Sequence, residues 1–280
     1  MNIKITSDST CDLSKELLEK YDIALMPLTV IKDDKSYTDG ITITTDEIFA
    51  HVAAGGNLCS TTAGSVGDYI EVFEKYADSY DALIHISLSS ELSSSYQNAC
   101  LAANDFSNVV VIDSRNLSTG QGLVVLKACE LAKTASSVEE IADILNEFTS
   151  KVEASFLLDQ LGYMVKGGRC STVAALGANL LNLKPCIEVK NGKMGVVKKY
   201  RGSYAKCLST YVKDRLSNRE DLDRTNLFVT RTPVSDECLK AVEAAVKEHA
   251  DFENIYWTHA GCTISCHCGP GTLGILFVRK

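Results

Sequence analysis

The chain has 280 residues, 45% hydrophobic and 23% charged, a balance that buries a sizeable core in one large or two medium domains. Its formal net charge of -8 excludes a nucleic-acid-coating surface, which needs clustered Lys and Arg to neutralise phosphates. No apolar run reaches the ~20 residues of a membrane span, and Lys4 and Asp8 interrupt the first apolar stretch, so the expected location is cytoplasmic.

Residues 3–6 read as a strand, followed by a turn and a helix near 14–21. Thr44 and Glu47 have capping-box spacing ahead of Ile48, Phe49 and Val52. From Ser65, the apolar positions Val66, Tyr69, Ile70, Phe73, Tyr76 and Ala77 follow the helical period. Residues 82–86 and 109–112 are short apolar strands, and Leu92, Tyr96, Ala99 and Ala103 between them share one helical face. Helices follow at 120–133 and 138–151. Strands alternating with helices in this way imply parallel βαβ units.

The pattern changes near residue 152. A strand at 156–158 and a helix at 173–181 precede a hairpin of 187–190 and 194–198, turned by Asn191-Gly192, a pair that tolerates positive φ. A helix (204–216), a strand (227–230), a helix (238–249) and strands at 255–257 and 273–278 complete the chain. The expected architecture is α/β in two domains: residues 1–152 with a parallel sheet and 153–280 with a mixed sheet and helices.

Ligands of open α/β sheets bind at the carboxyl ends of strands. Three such places are rich in hydroxyls: 6–10, 59–65 and 87–96, the last containing Ser87, Ser89, Ser90, Ser93, Ser94 and Ser95. No Walker or Gly-x-Gly-x-x-Gly sequence follows these strands, and the second and third loops contain no Lys or Arg. Neutral hydroxyl and backbone donors suit a single carboxylate better than a triphosphate. The same serines also serve as helix caps. Two further features stand out: Lys166-Gly167-Gly168-Arg169 after a short helix at 160–165, and His267 before Gly269-Pro270-Gly271. The first also reads as a helix stop with a surface arginine, the second as a hydrogen-bonded loop residue.

The eleven cysteines are odd in number and mostly isolated in apolar patterns, as small buried hydrophobes are. Cys262, Cys266, His267 and Cys268 invite a metal reading, but no second Cys pair stands elsewhere, and no metal site is expected.

Taken together, Asp8-Ser9-Thr10-Cys11-Asp12-Leu13, the 61–65 loop, Leu92-Ser93-Ser94-Ser95-Tyr96-Gln97, Lys166-Gly167-Gly168-Arg169, the 180–185 segment and His267 with Gly269-Pro270-Gly271 resemble the DegV family. These are bacterial fatty-acid-binding proteins that act as the B subunit of fatty acid kinase, and the resemblance spans essentially the whole chain. It implies an N-terminal three-layer α/β/α domain with a parallel sheet, a C-terminal two-layer domain, and a long-chain acyl group between the two. It further implies that Thr61 and Ser93, with backbone support from Ser94, hold the carboxylate and that His267 lies beside it. Arg169 matches the arginine of the family's glycine-glycine-arginine motif, and Arg201 a second basic position for meeting the kinase. Two stretches depart from the family pattern: Gly64 replaces a proline, and Ser94 replaces a glycine.

The resulting expectation is a non-enzymatic lipid-binding subunit. It holds a long-chain fatty acid, uses no cofactor, and presents the carboxylate to an ATP-dependent kinase subunit for acyl phosphate formation. The alternative is a serine-dependent acyl hydrolase using Ser93 and His267, although no Gly-x-Ser-x-Gly elbow is present.

Overall fold

The structure, a computed structural model, describes residues 1–174 and 183–280. Two compact units make up the chain. The first comprises Met1–Val152, Asn191–Lys193 and Gly261–Thr263; the second comprises Glu153–Lys190, Met194–Ala260 and Ile264–Lys280.

In the first unit the elements run β1 (Ile3–Asp8), a 3₁₀ turn (Ser9–Cys11), α1 (Lys15–Lys20), β2 (Ala24–Met26), β3 (Thr29–Lys32), β4 (Lys35–Thr38), α2 (Thr45–Ala53), β5 (Ser60–Thr62), α3 (Val66–Ala77), β6 (Ala82–Ser87), α4 (Ser95–Ala103), β7 (Val109–Asp113), α5 (Ser118–Leu131) and α6 (Val138–Thr149). Strands β2-β1-β6-β7 form a parallel sheet in that order. All six residues of β6 are buried, as a strand covered on both faces requires. The expected capping box of Thr44 with Glu47 is present on α2, and a second one, Ser65 with Asp68, starts α3. Helix α5 is buried along most of its length. A Cβ at Gly122 would stand 2.8 Å from the Cys11 carbonyl oxygen, so glycine is what lets α5 approach the 3₁₀ turn.

The second unit contains β8 (Val152–Leu157), α7 (Gly162–Gly167), α8 (Ser171–Ala174), β9 (Leu183–Lys190), β10 (Lys193–Arg201), α9 (Tyr204–Leu216), β11 (Leu222–Arg231), α10 (Asp236–His249), β12 (Asn254–His259), α11 (Cys262–Cys268) and β13 (Leu273–Arg279). The first residues of β8, β10 and α11 belong to the first unit. Its six strands are ordered β10-β9-β8-β13-β11-β12; β11 runs antiparallel to β13 and parallel to β12, so the sheet is mixed. Leu208, Tyr211 and Val212 of α9 and Val242 of α10 share a core with Val229 and Phe277. The architecture is therefore α/β with one parallel and one mixed sheet, as expected.

Several local expectations need correction. The antiparallel sheet β4-β3-β5 was not expected; its strands are three or four residues long, too short for a periodic signal. The helix expected to include Leu92 begins at Ser95, and Lys166 and Gly167 lie inside α7 rather than after it. His267, for which a loop position is one reading of the sequence, lies in α11. Of the helix expected over 173–181, residues 175–181 lie outside the described residues, as do 180–182 of the 180–185 segment.

Candidate functional site

The hydroxyl-bearing loops of the first unit rest on one buried carboxylate. Asp8 closes β1 and is fully buried. Its Oδ1 accepts hydrogen bonds from the Tyr69 hydroxyl (2.7 Å) and His85 Nε2 (3.2 Å); Oδ2 accepts from Ser87 Oγ (2.8 Å) and the Leu88 amide (2.7 Å). The second nitrogen of His85, Nδ1, pairs with Thr6 Oγ1 at 2.9 Å, the register partner of His85 across β1 and β6. Burial alone would raise the Asp8 pKa. The hydrogen bond and charge of His85, the Leu88 amide and the Tyr69 hydroxyl outweigh it and hold the carboxyl below its ordinary value.

Each loop is tied to this core. The 61–65 loop leaves β5, where Thr61 is half-buried opposite Val30 of β3. At Gly64 a Cβ would stand 2.3 Å from Met26 Cε and 3.1 Å from the Tyr69 ring, so the loop lies directly on the tyrosine that donates to Asp8. Asn98 Nδ2 of α4 donates to the Gly64 carbonyl at 2.7 Å. The 87–94 loop starts at Ser87 and Leu88, both bonded to Asp8, and ends at the N-terminus of α4. There Ser93 Oγ accepts from the Ser95 amide (3.2 Å) and pairs with Ser95 Oγ (2.9 Å), while Ser94 stands exposed at the N-cap without a side-chain cap bond.

In the second unit, His267 and Arg169 meet around one residue. Arg169 is exposed, and its Nη1 donates to the Gly167 carbonyl at 2.8 Å. A Cβ at Gly167 would stand 2.5 Å from His267 Nδ1. Burial, aided by the Arg169 guanidinium, pushes the His267 pKa down to about 4, so the imidazole is neutral at pH 7 and acts as a hydrogen-bond donor or acceptor rather than a cation. Arg201, at the end of β10, is exposed.

Helix α11, which carries His267, has a sequence of β-branched residues and cysteines with low intrinsic helix propensity. Its start is held by carboxylates within the first unit. Asp39 accepts from the Cys262 amide (3.0 Å), Thr263 Oγ1 (2.7 Å) and Ser9 Oγ (2.8 Å); Asp12 accepts from the Gly261 amide (2.9 Å) and Ser118 Oγ (2.6 Å). Burial, with a smaller push from Asp39, raises the Asp12 carboxyl to about 8. The eleven cysteines are free thiols, and burial beside Asp39 raises Cys262 to about 12, far from the thiolate that metal or redox chemistry needs. Among the described residues, no group of three or more His, Cys, Asp and Glu is placed to hold a metal ion.

Of the residues singled out from sequence, the structure gathers the loops of Thr61, Ser93 and Ser94 around Asp8 in the first unit, and joins His267 to Arg169 through Gly167 in the second. Among the described residues, Arg201 has no comparable link. The residues missed were Tyr69 and His85 as partners of Asp8, and Asp12 and Asp39 as anchors of α11. Of these, only Asp12 carried a signal, through its place in the opening motif. His85 sat unremarked inside an apolar strand.

Comparison with known proteins covers the whole molecule. Residues 2–280 match the family model described as uncharacterised protein, DegV family. A DegV domain-containing protein of Caldanaerobacter subterraneus is 33% identical over 281 residues, 99% of each chain. Among solved structures, a DegV family protein of Thermus thermophilus named for fatty acid binding is similar at TM-score 0.92 and 28% identity, covering 100% of each chain. A stearic acid-binding protein of Eubacterium ventriosum is similar at TM-score 0.82 and 28% identity, covering 99% of this chain and 98% of its own.

Proposed function

The chain belongs to the DegV family, and we propose that it binds a long-chain fatty acid and presents the carboxylate to a partner kinase subunit. The observation that carries the binding half is the full-length match to the Thermus thermophilus protein named for fatty acid binding. The local chemistry agrees with it. In the first unit, Thr61, Ser93 and the Ser94 backbone offer neutral donors on loops already fixed by Asp8; in the second, His267 is a neutral imidazole without a competing charge.

Tail and head divide the work. Burying a dozen methylenes at ~0.8 kcal/mol each contributes on the order of 10 kcal/mol gross. A hydrogen bond to a charged group nets only ~1.5–3 kcal/mol. Tail burial therefore sets affinity, and the hydroxyls select and orient the carboxylate. Acyl phosphate formation belongs to an ATP-dependent partner, with exposed Arg169 and Arg201 as cationic contacts for it. The acyl hydrolase alternative, Ser93 with His267, is disfavoured because no Gly-x-Ser-x-Gly elbow is present and the Ser93 hydroxyl is engaged by the Ser95 amide and hydroxyl.

Lipid extracted from the purified chain and weighed by mass spectrometry tests this reading. One long-chain fatty acid near stoichiometric level is expected. Ser93→Ala should fold normally yet retain the acid at least about fivefold less well. An extract without fatty acid, from protein that also fails to take up added oleate, would refute the binding half. ATP and oleate turned over by the purified chain alone would refute the kinase half.

A further inference from the structure

We infer that Gly167 is a positioning residue for His267: the hydrogen-only face of this glycine is the seat against which the imidazole stands. The two glycines of Lys166-Gly167-Gly168-Arg169 are needed for different reasons. Gly168 has φ +68° and caps α7, its amide donating to the Met164 carbonyl at 3.2 Å, and a Cβ there would have no heavy atom within 4 Å. Its requirement is conformational. Gly167 is the last residue of α7 and its φ is not positive, so the backbone alone would accept alanine. What excludes a side chain there is His267, whose Nδ1 would lie 2.5 Å, Cγ 3.4 Å and Cε1 3.6 Å from the new Cβ. A separation of 2.5 Å falls roughly 1 Å inside the 3.5–4.0 Å optimum for non-bonded atoms, so the ring must move. The carbonyl of the same residue receives Arg169, so Gly167 aligns both conspicuous side chains of this corner. That the ring then serves a fatty acid head group rests on the function proposed above.

The test uses the full chain with Gly167→Ala, His267→Ala, their double variant and Gly168→Ala. In the ligand-free protein, the His267 imidazole resonance, assigned by its loss in His267→Ala, should titrate near 4 in the wild type and at least about one unit higher in Gly167→Ala, as the displaced ring meets solvent. Gly168→Ala should lower the melting temperature and leave that titration in place. With oleate as the probe, Gly167→Ala should weaken binding at least about fivefold in the wild-type background and not at all in His267→Ala. Should Gly167→Ala fold poorly, removing the ring in the double variant should restore its melting temperature. An unmoved His267 titration, or an equal loss of stability or oleate affinity in both backgrounds, overturns the inference. A wild type that binds no oleate instead defeats the functional reading, and the titration still decides the role of Gly167.

Discussion

Asp8 in the first unit and His267 in the second are both buried titratable groups, and their surroundings push them to opposite fates. Asp8 meets two hydroxyls, an amide and an imidazole, and these donors overcome burial to keep it ionised. His267 meets burial and a neighbouring guanidinium, both of which oppose charging, so it stays neutral. Charge survives burial where donors converge on it, and such a group becomes scaffold because its lone pairs are already engaged. A buried imidazole that gives up its charge keeps a donor suited to a carboxylate ligand. The contrast separates what holds the hydroxyl loops from what would face the ligand.

The widest separation is expected between Asp8→Ala and His267→Ala in urea unfolding. Removing Asp8 strands the donors of Tyr69, Ser87, Leu88 and His85, and a buried ionic network that loses one partner costs ~3–5 kcal/mol. His267→Ala removes a neutral ring and should cost under about half of that. Equal costs would erase the distinction between the Asp8 scaffold and the group proposed to face the ligand.

How much of this could be read beforehand follows the range of the interactions involved. Capping boxes are written within four residues, and Thr44–Glu47 was legible; Ser65–Asp68 has the same local spacing and went unread. The Asn191-Gly192 turn was legible too, with both residues at positive φ, and α9 spans Tyr204–Leu216 as its period indicated. The hydroxyls of the candidate site were legible as residue types at strand ends, and the resemblance supplied their suggested roles. Their support was not. Asp8 finds His85 and Ser87 through the β1–β6 register, 77 and 79 positions away, which no local pattern encodes. Helix α11 depends on carboxylates more than 220 positions upstream, against the preference of its own residues. Gly167 read as one of two glycines of a tight turn or helix stop; its φ and the position of the His267 ring, neither legible in sequence, distinguish it from Gly168.

A smaller effect isolates Asp12, the case between the two extremes: two donors reach it, yet burial still prevails. Its folded pKa, about 8, lies above the ordinary aspartate value of 3.8. Between pH 6 and 8 the unfolded chain has released this proton while the folded chain retains it. Stability attributable to Asp12 therefore falls as pH rises, by ~1.4 kcal/mol per unit and about 2–3 kcal/mol over that window. Asp12→Asn keeps the shape, tolerates the φ of +50° and cannot ionise, so this component of the alkaline loss should vanish from its unfolding free energies. Parallel pH profiles for wild type and variant would show instead that the two donors suffice to keep Asp12 ionised.

Arg169 should give the smallest change in the molecule itself and the sharpest functional one. Unlike Asp8, it is a charge turned outward: the side chain is exposed and its hydrogen bond to Gly167 is two residues away on the surface. Exposed contacts of this kind are worth well under ~1 kcal/mol, so Arg169→Ala should leave the urea midpoint nearly unchanged. Removing the guanidinium also removes one of the two influences lowering the His267 pKa, so that group should titrate slightly higher while burial still keeps it below its ordinary value. Oleate retention should stay at the wild-type level, because the tail supplies most of the affinity. Acyl phosphate formation by an added fatty acid kinase subunit should drop, since a cationic contact chiefly governs encounter with a partner of opposite charge and its salt dependence. Oleate lost in proportion to turnover would place Arg169 with the proposed ligand-binding groups, whereas full turnover would remove it from the proposed docking surface.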